Sequence, residues 1–131
     1  MKKIDTNIEF FKEDLNQAIG SGIYQISICK DNKSKILYIG ESETVLKRCG
    51  EHLYKLNENP GYLGFTEDIL KDSNITLKFE LLEKIDDAIF RKKREVELIK
   101  NESPLIQSGI NDHLKNLEDR ILALREFLNM N

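Results

Sequence analysis

An α+β domain is the fold this chain predicts, on three observations. Three short runs rich in β-branched residues alternate apolar and polar positions at period two. Other stretches repeat their apolar residues at helical spacing, and Gly, Asn, Asp or Pro separate the two kinds. Taken in order, Ile8, Phe11, Leu15 and Ala18 predict a helix over 8–18 that Gly20 and Gly22 end. Residues 23–29 read as a strand, 30–35 as turn chemistry (Asp31, Asn32, Ser34) and 36–39 as a second strand. The pair predicts a β-hairpin with a longer loop. A helix over 44–56 carries Leu46, Leu53 and Leu56 inward, and Pro60, Gly61 and Gly64 mark a loop over 57–64. Residues 66–71 suit a short helix and 75–82 a third strand, with Ile75, Leu77, Phe79 and Leu81 alternating. Asp86 is the expected N-cap of a helix to about Lys100, with Pro104 beyond its end.

The last segment differs in kind. Ile110, Leu114, Leu117, Ile121, Leu124 and Leu128 form a heptad-spaced stripe. Such a helix either packs on its own domain or pairs two protomers as a homodimer. One domain is expected over 1–131, with this helix over 113–131.

Composition bounds the rest. With 131 residues, 40% hydrophobic and 33% charged, the chain can bury a core without disulfides. No apolar run reaches membrane-spanning length, and the start carries charge rather than an apolar stretch, so a cytoplasmic setting without membrane is expected. Cys29 and Cys49 lack metal-binding spacing. A net charge of −3 argues against nonspecific coating of nucleic acid, although Lys47–Arg48 and the 91–94 cluster with Lys100 are locally basic.

Several residues carry chemistry. Tyr24 and Tyr38 lie on the two hairpin strands and would flank one pocket, where a phenol near a divalent cation can act as a general base. Arg48 and His52, four apart, project from one helix face; the first suits a phosphoryl oxygen and the second proton transfer. Of the two carboxylates Glu95 and Glu97, Glu95 lies roughly 75° from the stripe formed by Ile85, Ala88, Ile89, Val96 and Ile99. Glu97 lies roughly 125° away, toward solvent. Glu95 is therefore the better metal ligand, with water and phosphate filling the other positions of a Mg²⁺. Asn111 reads either as a helix N-cap or as an amide that fixes a tyrosine or a phosphate. Lys47 and Arg94 are candidate substrate contacts.

The ordered set Gly22-Ile23-Tyr24, Tyr38-Ile39-Gly40, Arg48, His52, Glu95, Pro104 and Asn111 resembles the GIY-YIG nuclease superfamily over about residues 20–112. The string Glu95-Val96-Glu97-Leu98-Ile99-Lys100 is similar to that family's Glu-x-x-Leu-Ile-Lys. The resemblance implies a three-stranded antiparallel sheet flanked by helices. It also implies hydrolysis of DNA with one Mg²⁺ (or Mn²⁺) on Glu95. Tyr24 is then the general base, Arg48 stabilises charge, Tyr38 and His52 support phosphate and water, and Asn111 orients the site. Glu41 stands where many repair-type members carry a lysine. A catalytically weak binding module on the same fold is the competing expectation.

Overall fold

The computed structural model describes residues 4–129; the outermost residues of the predicted domain, 1–3 and 130–131, lie outside them. It is α+β, but the sheet has four strands rather than the predicted three. These are β1 (Asn7–Phe10), β2 (Gly22–Lys30), β3 (Lys33–Ser42) and β4 (Thr76–Glu83), in the order β1-β4-β2-β3. β2 pairs antiparallel with both β3 and β4, whereas β1 runs parallel to β4.

The added strand replaces the first half of the helix predicted over 8–18. Its backbone is committed to β4, with Ile8 opposite Leu77 and Phe10 opposite Phe79, and the Thr6 hydroxyl donates to the carbonyls of Ile69 and Leu70. Phe11, at φ 51°, turns the chain out of the strand, and residues 12–20 continue as turns. The helical spacing is met differently: Phe11 and Ala18 are buried, but Leu15 is exposed. In that turn Asp14 caps the sheet by accepting from the Leu81 amide at 2.9 Å.

The hairpin loop is also shorter than predicted. Asp31 and Asn32, both at positive φ, form a two-residue turn between the paired Lys30 and Lys33. That is the geometry a right-twisted hairpin prefers, and Asn and Asp accept it readily. A register shift follows: Ile26 pairs with Tyr38 but Ser27 with Ile36, leaving Leu37 as the extra residue. The bulge turns Leu37 and Tyr38 to the same face of the sheet, where the larger core lies, and sends Ile36 and Ile39 to the other.

Helix α1 (Val45–Glu58) packs on the larger core through Val45, Cys49, His52 and Leu56. A 3₁₀ turn (Tyr62–Gly64) and α2 (Glu67–Leu70) follow. On the opposite face α3 (Ala88–Glu102) packs Ile99 against Ile23 and Ile39. Its N-cap is Asp87 rather than Asp86, accepting from the Phe90 amide at 2.8 Å. After Pro104 the chain lies along the open edge of β3, where the Leu105 and Ile106 amides donate to Ile36 and Leu37.

Helix α4 (Leu117–Phe127) is shorter than its stripe, since Ile110 and Leu114 precede it, and Asn116 rather than Asn111 is its N-cap. Part of the stripe packs within its own chain: Leu124 and Leu128 are buried in the larger core, whereas Ile110 and Leu117 are exposed. No helix among the described residues is long and apolar enough to cross a membrane.

Candidate active site

The site is built around the edge strand β3. The two glycines of the tyrosine triplets show why the strands carry them. Gly40 is the cross-strand partner of Tyr24, and a Cβ there would lie 2.6 Å from Tyr24 Cζ and 2.8 Å from Tyr38 Cε1. A Cβ on Gly22 would lie 2.6 Å from the Glu83 carbonyl oxygen. Each glycine is therefore a close approach; the first admits the tyrosines, the second lets β4 approach.

Tyr24 and Tyr38 are not direct partners, as an in-register hairpin would make them. They stack diagonally with ring centroids 6.1 Å apart. His52 joins them from α1, its ring 5.7 Å from Tyr24 and 5.1 Å from Tyr38. Tyr24 Oη lies 2.8 Å from His52 Nε2, and Tyr62 Oη lies 2.7 Å from His52 Nδ1. Burial, with Arg48 and Lys55 nearby, pushes His52 down to about 3, so its imidazole is neutral. One ring nitrogen then donates and the other accepts. Burial also raises Tyr24 far above an ordinary phenol, with Tyr38 and Cys49 adding to it, and holds Tyr38 up at about 12 together with Asp112. Arg48 works the other way on all three tyrosines. Its own charge is opposed by partial burial but reinforced by those phenols, which raise it overall.

Glu95 arrives from α3. Glu95 is 7% exposed and lines a cavity of about 350 Å³ together with Glu41, Lys92, Val96, Asn111 and Asp112. Burial and the charges of Asp112 and Glu41 push Glu95 up to about 7. Glu97 points outward and pairs with Arg94 at 3.1 Å. The helix places Glu95 inward as its spacing predicted, although the stripe itself is displaced. Ile89 is 73% exposed, whereas Arg91 is buried with Glu95 and Ile99. Tyr38 feels both halves of the site: burial, Asp112 and Glu95 raise it, while Arg48 lowers it.

The remaining predicted residues divide. Asn111, at φ 48°, lines the Glu95 cavity. Lys47 is exposed beside Arg48 and makes no ion pair among the described residues. Arg94 is held by Glu83 at 2.8 Å and by Glu97, away from the cavity lining.

Three residues to which the sequence assigned no role shape the site. Gln107 accepts from the Ile39 amide at 3.0 Å and donates to its carbonyl at 2.9 Å. It therefore fixes the strand between Tyr38 and Gly40. Glu41 accepts from Arg91 Nε at 2.7 Å, and Arg91 also donates to the carbonyls of Ile85 and Asp86. The acid at this position is thus half of an ion pair between β3 and α3. Tyr62, within the predicted loop, closes the aromatic cluster. Turn chemistry at Pro60-Gly61 and Gly64 was visible, but nothing local aimed Tyr62 at His52.

Glu95 and His52 make opposite contributions to stability across pH. Glu95, raised to about 7 from an ordinary 4.5, contributes stability that is full below 4.5 and lost as pH rises to 7. His52, lowered to about 3, contributes stability that is full above 6.5 and lost as pH falls toward 3. Melting curves should therefore show Glu95→Gln gaining on wild type between pH 5 and 7.5 (roughly the window between the two limits). Parallel curves for the two proteins would contradict that.

A family model for the GIY-YIG catalytic domain matches residues 20–111. This chain belongs to the GIY-YIG family, a family of nucleases. Comparison with curated proteins and with solved structures gives no match. The match ends before α4.

Proposed function

We infer that this chain is a metal-dependent endonuclease that hydrolyses a phosphodiester bond of DNA. The observation that carries the reading is Glu95, a buried acid lining a polar cavity with Glu41, Asn111 and Asp112. Its neighbours Asp112 and Glu41 make its charge costly, which is the setting a divalent cation relieves. Among the described residues no three or more His, Cys, Asp or Glu enclose a metal position. The oxygen donors here suit Mg²⁺ (or Mn²⁺), an ion that keeps most of its waters and takes one or two carboxylates. When bound on Glu95, it supplies charge neutralisation at the phosphoryl oxygens and eases ionisation of water.

The chain's own groups supply the rest. Tyr24 takes the proton of the attacking water, directly or through the Tyr38 hydroxyl beside it. Arg48, permanently charged and half-exposed, receives the phosphoryl oxygens. His52 holds the Tyr24 hydroxyl, and Asn111 orients the phosphate at the cavity wall. Lys47 contacts the backbone next to Arg48. Arg94 would first have to leave Glu83 and Glu97, so further backbone contacts are assigned elsewhere. A cleft of about 390 Å³ between α3 and the loop after Pro104 is lined by Lys35, Lys100 and Lys115. None of the three makes an ion pair among the described residues.

Supercoiled plasmid and structured DNA incubated with the protein and Mg²⁺ should be nicked, and EDTA should stop it. No cleavage across such substrates by folded protein would favour the binding-module reading. Replacing Lys35, Lys100 and Lys115 with Ala should weaken DNA binding and flatten log Kd against log salt by about 2 to 3. An unchanged slope would remove the cleft from the interface.

A further inference from the structure

We propose that Tyr62, clamped by the C-terminal helix, is a positioning residue that completes a Tyr24–His52–Tyr62 proton relay. The proposal rests on the nuclease reading and on Tyr24 as its base. Tyr24 is fully buried, so a proton taken from water needs an onward path. His52 Nε2 at 2.8 Å is that path, provided it is the accepting nitrogen. A neutral imidazole that accepts at Nε2 carries its proton on Nδ1, and Nδ1 lies 2.7 Å from Tyr62 Oη. The Tyr62 oxygen can accept that proton and so favour this tautomer, and Tyr62 is itself partly exposed.

The balance closes without charge resting on the imidazole. Water gives a proton to Tyr24 Oη as the Tyr24 proton passes to Nε2. The Nδ1 proton passes to Tyr62 Oη and the Tyr62 proton leaves to solvent, while the hydroxide forms its bond to phosphorus as the bond from phosphorus to the leaving oxygen breaks and that oxygen takes a proton from solvent. Burial, Arg48 and Lys55 all disfavour an imidazolium here, so concerted passage suits the site better than a stored charge. Arg48, Arg120 and Glu51 are charged groups acting on Tyr62, and Lys55 Nζ lies 6.0 Å from its ring centroid.

Helix α4, beyond the matched residues 20–111, holds the far end in place. Gly61 and Gly64, which flank the turn bearing Tyr62, have φ of 80° and 85°. A Cβ on Gly64 would meet the Arg120 carbonyl oxygen at 2.7 Å, and one on Gly61 would meet Ile121 Cδ1 at 3.2 Å. Arg120 Nε also donates to the Gly61 carbonyl at 3.3 Å. The appended helix therefore sits directly on the turn and brings Arg120, whose charge eases loss of the Tyr62 proton.

Tyr62→Phe keeps the ring and removes only the hydroxyl. Nitrogen NMR of the imidazoles, with His113→Gln for assignment, should find His52 protonated at Nδ1 in wild type and not uniquely so in Tyr62→Phe. Single-turnover cleavage should fall about 10²-fold at unchanged DNA affinity. The curved proton inventory of wild type should become linear. A wild-type His52 protonated at Nε2 would overturn the relay, as would a Tyr62→Phe enzyme with wild-type rate and inventory. If wild type cleaves no DNA, the nuclease reading falls and takes the relay with it; if only the variant is indifferent, the relay alone falls.

Discussion

Gly40→Ala is expected to abolish most activity while destabilising the fold, an effect out of proportion to one methyl group. The added Cβ would collide with the Tyr24 hydroxyl and ring and with the edge of Tyr38. Neither ring can retreat: both are buried, and behind Tyr24 stands His52, held in turn by Tyr62. Overpacking of this kind costs about 3 kcal/mol, which lowers the melting temperature by roughly 10 °C in a domain of this size. Displacing the phenols by about 1 Å should lower the cleavage rate roughly 10²-fold. Thermal melts and single-turnover rates on the same preparation check both parts. An Ala variant that melts and cleaves as wild type does would show that the close approach at Gly40 does not position the tyrosines.

The strands bearing Tyr24 and Tyr38 were legible because alternation and turn chemistry are local properties. So was the choice of Glu95 over Glu97, since 100° per residue separates an inward carboxylate from an outward one. What escaped depends on partners distant in the chain. Residues 7–10 form a strand only because β4 offers them an edge, and their spacing alone fits a helix equally well. Arg91 is buried instead of Ile89 because Glu41, fifty residues earlier, accepts its guanidinium. The clasp on Ile39 belongs to Gln107, since that is where the loop meets the edge of β3. Tyr62 follows the same rule: its role exists only once α1 and the 3₁₀ turn face each other. In the site, the charge-bearing residues could be picked out by type and spacing, whereas the groups that hold them in place could not.

The inward Glu95 is the point on which the functional reading turns. Replacing it with Gln keeps the shape but removes the charge that, on the proposed function, would hold the cation. Glu97→Ala, two residues away, only removes one surface partner of Arg94 and leaves its pair with Glu83. The most direct measurement is the initial rate of Mg²⁺-dependent plasmid nicking by wild type, Glu95→Gln and Glu97→Ala at one protein concentration. The expected order is full activity for wild type, a loss of about 10³-fold for Glu95→Gln and a change of no more than a few-fold for Glu97→Ala. Equal rates for wild type and folded Glu95→Gln would contradict the assignment of the metal to Glu95 and the mechanism built on it.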